Sequence, residues 1–346
     1  MRAVVLAVAL TVAATGAELK EFEAWVAGHG GRAETGDNGR VKAVSLPYAW
    51  VTDADVEAIA ALDDIEKLDL SLSLITDAGM ERLKTLEKVS DLNLFGVELI
   101  TDVAMAYIRD WKRLERLNLR GTDITDTTLE YLAEIPSLRS LDVSYTQITN
   151  NGLEHLVGLQ KLEELALGGN KVSGAGLRVL KVLPALRSLN LNGAQKRNSG
   201  IWAVSLTDLD LDALAGMKRL EELDLGGVSV TDAGVPRLNP LANLRMLDLS
   251  RTQVSAAGLA SLRLSGLERL SLWKAKRVDD SAAEHLLKFP KLSILDLSET
   301  GLGDSGLAQL SGLKNLRKVF LRGSGVTAAG VEAFRAANPQ CEVTWQ

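Results

Sequence analysis

Two hydrophobic periods alternate along this chain inside one recurring phrase of about 24 residues. The phrase is clearest at 138–159, LRSLDVSYTQITNNGLEHLVGL. Leu138, Leu141 and Val143 are spaced three and two, Thr146 and Ile148 follow, and Leu153, Leu156 and Leu159 lie three apart. The first half has strand spacing and the second half helix spacing, so each unit predicts one strand followed by one short helix. The phrase returns as LEELDLGGVSVTDAGVPRLNPL from Leu220 and LSILDLSETGLGDSGLAQLSGL from Leu292. In each L-x-L core the two leucines point inwards and the residue between them points out. A unit this short buries its apolar side only against its neighbours, which predicts a solenoid rather than separate cores.

Strand cores are expected at 44–46, 68–70, 92–94, 117–119, 141–143, 165–167, 189–191, 223–225, 247–249, 270–272, 295–297 and 319–321, about twelve units in all. Ahead of them, residues 18–46 read as a cap on the open end of the stack. It comprises a short helix with Leu19, Phe22 and Val26 on one side, a turn at Gly36–Asp37–Asn38–Gly39 and a return strand. Repeats fill 47–339, and 340–346 form a last capping strand in which Cys341 is a small buried residue. Thr-Asp pairs such as Thr76–Asp77, Thr101–Asp102, Thr125–Asp126 and Thr231–Asp232 precede the helices. There a side-chain oxygen caps free N–H groups and the acid suits the helix dipole.

The pattern LxxLxLxxTxITDxGLxxLxxL resembles the leucine-rich repeat family over essentially all of residues 41–345. It is most similar to the bacterial and F-box-associated subclass. The resemblance implies an α/β fold, a right-handed horseshoe solenoid with a parallel sheet on the concave face and short helices on the convex face. One departure stands out: where many members carry Asn or Cys after the strand, this chain has Thr122, Thr146, Thr252 and Thr300, with Asn170 an exception. A threonine hydroxyl there is expected to bond the neighbouring loop backbone.

Composition narrows the function. The 346 residues are 46% hydrophobic and 24% charged, with a net charge of −6, which argues against a nucleic-acid-binding face. The Lys196–Arg197 and Lys274–Lys276–Arg277 clusters therefore read as surface rather than phosphate contacts. A single cysteine excludes an intrachain disulfide and a Cys-based zinc site. Residues 1–17, MRAVVLAVALTVAATGA, have the layout of a secretory signal peptide with cleavage after Ala17, too short to span a membrane. This predicts a secreted or periplasmic monomer with no membrane span once the leader is removed.

No catalytic motif, phosphate loop or metal-spaced cluster is present, so no catalytic residue, metal or cofactor is expected. His155 and His285 each follow a Glu five repeats apart, roughly 24 Å at about 4.8 Å per strand, too far to share a metal. The candidate site lies instead on the outward column of the sheet, where Asp69, Asn93, Asn118, Asp142, Asn190, Asp224, Asp248 and Asp296 form an acceptor-rich row. Just past the strands come Arg120, Tyr145, Asn192, Arg251, Trp273 and Lys274, around small residues from Ala166 to Gly227 that predict a shallow hollow. An insertion near 194–204 lengthens one repeat by about ten residues there and adds Lys196, Arg197 and Trp202. Insertions in repeat proteins form loops, often on the binding face. The expected ligand is a protein, peptide or glycan on the concave face, bound by Arg120, Asp142, Tyr145, Asn190, Asn192, Lys196, Arg197, Trp202, Asp224, Asp248, Arg251, Trp273 and Lys274. The alternative is an intracellular F-box-type adaptor for ubiquitin ligation.

Overall fold

A computed structural model describes residues 16–193 and 204–346. The leader up to Thr15 and the inserted segment 194–203, with Lys196, Arg197 and Trp202, lie outside the described residues. The chain divides into two units, the first ending at Ala166 and the second beginning at Leu167.

The first unit opens with a helix, Gly16–Gly28, whose Phe22 and Val26 are fully buried. Strands β1 (Arg32–Thr35) and β2 (Val41–Ser45) pair antiparallel around the predicted turn. From β2 the pairing is parallel through β3 (Lys67–Asp69), β4 (Asp91–Asn93), β5 (Arg116–Asn118), β6 (Ser140–Asp142) and β7 (Glu164–Ala166). The register sets Leu68, Leu92, Leu117, Leu141 and Leu165 side by side, all at most 2% exposed. Burial of each such leucine contributes about 2 kcal/mol.

The second unit repeats the scheme with β8 (Ser188–Asn190), β9 (Glu222–Asp224), β10 (Met246–Asp248), β11 (Arg269–Ser271), β12 (Ile294–Asp296), β13 (Lys318–Phe320) and β14 (Glu342–Thr344), each parallel to the next. Most repeats carry one turn or two of helix, as at Asp77–Leu83 and Ala256–Ser261. At Val235–Leu238 the segment tightens to a 3₁₀ turn with Pro236 in its first turn. Proline is tolerated only where its missing N–H would be unsatisfied anyway. Both units are leucine-rich-repeat solenoids of the α/β class.

Two expectations need correction. The threonine hydroxyls bond within their own turn, to the carbonyl three residues back: Thr122 to Leu119 at 2.7 Å, Thr146 to Val143 at 2.7 Å, Thr252 to Leu249 and Thr300 to Leu297 at 2.6 Å. Neighbouring loops are joined by backbone bonds instead, such as Asp123 N–H to the Ile100 carbonyl at 3.1 Å and Gln253 N–H to Val230 at 2.9 Å. The Thr-Asp aspartates also do more than face a helix dipole. Asp77 accepts from Thr101 N–H at 2.9 Å and Thr101 Oγ1 at 2.7 Å, one repeat later. Asp102 accepts from Thr125 N–H and hydroxyl and again from Thr128 N–H and hydroxyl, all within 3.1 Å. The threonine meanwhile caps its own helix, as Thr76 does for Ala78. Glycine three residues after the capping threonine leaves room for this rung: a Cβ at Gly152 or Gly234 would strike the carboxylate of Asp126 or Asp208 of the repeat before.

Candidate functional site

The outward column of Asp and Asn closes the strand ends. Each side chain accepts the backbone N–H two residues on: Asp69 from Ser71, Asn93 from Phe95, Asp142 from Ser144, Asn190 from Asn192, Asp224 from Gly226, Asp248 from Ser250 and Asp296 from Ser298, at 2.7–3.1 Å. This is the short-range side-chain turn that suits Asp and Asn alike, so the alternation between them along the column costs the fold little. What the aspartates have left to offer is their charge and, where no neighbour takes it as Ser45 does at Asp69 and Asn192 at Asp224, the second oxygen.

Three residues beyond the second leucine's predecessor the chain turns through a left-handed backbone. Gly96, Gly121, Gly169, Gly227 and Gly323 occupy that slot with φ of 66–74°. Tyr48, Leu72, Tyr145, Arg251, Lys274 and Glu299 occupy it with φ of 55–59°. An L-residue there is disfavoured by about 1–2 kcal/mol. Side chains that persist against this strain mark positions to question for function.

In the first unit the side chains in the slot are Tyr48, Leu72 and Tyr145, with Gly96 and Gly121 between them. Tyr48 is 77% exposed, and Trp50 nearby is 82% exposed. Leu72 lies against Gly96, where a Cβ would strike its side chain. Arg120 places its guanidinium 4.6 Å from the Tyr145 ring centre and 5.9 Å from that of Phe95. Of the residues predicted from sequence in this unit, Arg120 and Tyr145 are brought together, while Asp142 lies one turn back along the same strand end.

In the second unit the side chains in the slot are charged, Arg251, Lys274 and Glu299, with Gly169, Gly227 and Gly323 on either side. Arg251 lies 4.4 Å and the Lys274 ammonium 4.5 Å from the centre of the half-buried Trp273 ring. The Trp273 Nε1–H donates to Glu299 at 3.2 Å, and Glu299 also pairs with Lys274 at 3.2 Å and Lys276 at 3.7 Å. Burial works against the Glu299 anion, but the bonds from Lys274 and Trp273 outweigh it and hold its carboxyl below the ordinary value. A second group forms where Asn192 Nδ2–H donates to Asp224 at 3.2 Å. Burial pushes the carboxyls of Asp224 and Asp248 up, and Asp224 and Asp296 raise Asp248 further by like charge. A hollow of about 190 Å³ beside Asp248 is lined by Met246, Ile294 and Phe320 with Arg269, Ser271 and Asp296.

Sequence reasoning missed Glu299, Lys276, Phe95, Tyr48 and Trp50. The available signal was alignment on the slot after L-x-L-x, where Gly in one repeat predicts a left-handed turn in all. His155 and His285 sit on helical turns, His285 beside Glu284 at 3.5 Å. Cys341 is buried, and burial raises its thiol pKa. Among the described residues there is no group of three or more His, Cys, Asp or Glu placed to hold a metal, and no helix long and apolar enough to cross a membrane.

Family models described as leucine-rich repeat match residues 136–195 and 290–311. With the repeat geometry above, the chain is a leucine-rich-repeat protein. Among solved structures it is similar to an internalin from Listeria monocytogenes, at 19% identity over 94% of this chain and 93% of that one, with a TM-score of 0.57. It is also similar to a leucine-rich-repeat protein of Leptospira interrogans, at 20% identity over 83% and 74%, TM-score 0.53. The yeast Rad7–Elc1 complex matches at 16% identity over 85% and 78%, TM-score 0.57. At these identities the likeness is one of fold. No protein of curated function matches the chain.

Proposed function

We propose that this chain is a non-enzymatic interaction scaffold, exported from the cell, that holds a protein or peptide on the outward residues of its strands and the turns after them. The carrying observation is that the outward residues of successive strands stay half-buried or exposed while the leucines beside them are sealed. Six side chains held in a left-handed turn at the edge of that face extend it. A leucine-rich-repeat fold supports partner binding, as in the Rad7–Elc1 complex, and residues 1–17 support export. The test is affinity capture from the organism's own medium with the mature chain, alongside Asp142→Arg, Asp248→Arg and Trp273→Ala variants of normal stability. A partner lost by at least one variant is the expected result. Capture indifferent to all three overturns the assignment to this face.

A second reading, an intracellular adaptor, draws on the likeness in fold to Rad7, which is assembled with Elc1. The N-terminal sequence of the protein recovered from cells separates the two. A start after Ala17 in the extracellular or periplasmic fraction favours export, and an intact Met1 in the cytosol favours the adaptor.

A further inference from the structure

The charged turn of the second unit already displays a bound carboxylate. Glu299 comes from one repeat and is held by donors of the repeat before it. Its Oε1 takes the Trp273 indole N–H and the Lys274 ammonium, both at 3.2 Å, and its Oε2 faces the Lys276 ammonium at 3.7 Å. Two oxygens of one planar group are thus met by one N–H donor and two point charges. The group stays in contact with solvent: the side chains of Glu299 and Lys274 are about one-third exposed and that of Lys276 is 67% exposed.

Two further observations bear on what the turn is for. Arg251, Lys274 and Glu299 follow one another through three successive repeats, all in the left-handed slot that glycine fills elsewhere. A scaffold role alone would be served better by glycine. The local charge is also reversed relative to the chain. Lys274 and Lys276 face Glu299 and Arg277 lies 4.0 Å from Asp232, with the Arg251 guanidinium on the Trp273 ring, on a molecule of net charge −6. Arg251 spends its guanidinium on the Trp273 ring and makes no ion pair among the described residues. Its N–H edge remains available.

We propose that Arg251, Trp273, Lys274 and Lys276 form a recognition site for the carboxylates of an acidic segment of a protein partner, and that Glu299 holds the place a partner's Glu or Asp takes over. The inference rests on the scaffold reading above and specifies what its second unit selects. One incoming carboxylate merely exchanges for Glu299, so a single acid gains little. A run of acids gains because the others engage Arg251 and Arg277 while one displaces Glu299. Exposed charges of this kind are screened by salt, so binding weakens as ionic strength rises.

The probe is fluorescently labelled hexaglutamate, titrated by anisotropy against the full chain at low ionic strength, with hexalysine and inorganic phosphate as comparison arms. Wild type binds hexaglutamate and not hexalysine at this turn. The double variant Arg251→Gly, Lys274→Gly weakens hexaglutamate binding at least tenfold while raising the melting temperature, because it relieves two left-handed side chains. Glu299→Gln, which removes the resident charge, tightens binding several-fold. Unchanged binding in the double variant, or weaker binding in Glu299→Gln, overturns the proposal. So does inorganic phosphate that displaces the peptide at equal charge concentration. A captured partner that depends on Trp273 but is not competed by hexaglutamate overturns the carboxylate inference and leaves the scaffold reading standing. Hexaglutamate behaviour as expected, with capture indifferent to the outward face, does the reverse.

Discussion

The two units share a strand register, a leucine ladder and a left-handed turn, yet they fill that turn with opposite chemistry. The first places Tyr48, Leu72 and Tyr145 there, and the second places Arg251, Lys274 and Glu299. The φ values agree within a few degrees, so the backbone does not distinguish them. The difference lies wholly in what the side chains can meet. The first unit offers apolar rings with Arg120 over two of them, and the second offers cations around one indole and one carboxylate. A partner of the first unit would present apolar groups, and a partner of the second acidic ones.

The largest expected effect tests whether the units are energetically separate. Leu92→Ala in the first or Leu295→Ala in the second, both fully buried, costs about 2–5 kcal/mol. Hydrogen exchange should quicken mainly in the strands of the altered unit, since repeats contact only their neighbours. Uniform loss of protection over both would make the chain one cooperative block.

The rungs come next. Asp102→Ala strips four hydrogen bonds and leaves the Thr125 N–H and the hydroxyl protons of Thr125 and Thr128 without their acceptor, for a loss of about 2–3 kcal/mol by denaturant unfolding. Asp280→Ala in the second unit removes one bond to Gly303 N–H and should cost about 1 kcal/mol. Equal losses would mean that the rung acts through something other than these bonds.

The turn gives a smaller, signed pair. Gly121→Tyr in the first unit imports the strain that Tyr145 tolerates and costs about 1–2 kcal/mol. Lys274→Gly in the second relieves the same strain, offset by its lost contacts with the Trp273 ring and with Glu299, for a net gain of roughly 0.5 kcal/mol in thermal unfolding.

The smallest effect is in pH dependence, where the units should diverge. Asp64 of the first unit is held well below its ordinary pKa by hydrogen bonds from Lys42, Lys88 and Asn38, with oxygens 2.8–2.9 Å from all three. A depressed folded pKa stabilises above the unfolded value and loses that contribution as pH falls through the carboxylate range. In the second unit burial raises Asp224 and Asp248, so their contribution is present at low pH and is lost as pH rises through their folded values. Glu299 and Asp304 of the second unit are lowered as well, though less than Asp64, so acidification from pH 5 to 3 should loosen both units, the first before the second, in hydrogen exchange. Asp248→Asn, which keeps the bond from Ser250 N–H as Asn93 does from Phe95, should be neutral or stabilising by up to about 0.5 kcal/mol at pH 7. That gain should vanish in acid.

Much of the fold was legible because its determinants are local. Leu141 and Val143 two apart and Leu153 and Leu156 three apart state strand and helix outright, and Phe22 and Val26 mark the buried side of the first helix. What stayed hidden was joined across repeats. The rung from Asp77 to Thr101 spans 24 positions, and the pair of Trp273 with Glu299 spans 26. No local pattern reveals either until the repeats are laid in register. The sign of φ at Tyr145 or Arg251 was equally invisible in those residues themselves. It could be read only from Gly121 and Gly227 in the matching slot. The acceptor row of Asp and Asn was read as binding surface although its first duty is to close the strand ends.

A turn that accepts Gly, Tyr, Leu, Arg, Lys or Glu at nearly one backbone geometry is a socket with interchangeable plugs. Randomising positions 48, 72, 145, 251, 274 and 299, where side chains already sit, should yield a library whose members keep the scaffold and differ in what adheres to its rim. The same latitude gives natural variation a route to new partners that leaves the leucine ladder untouched.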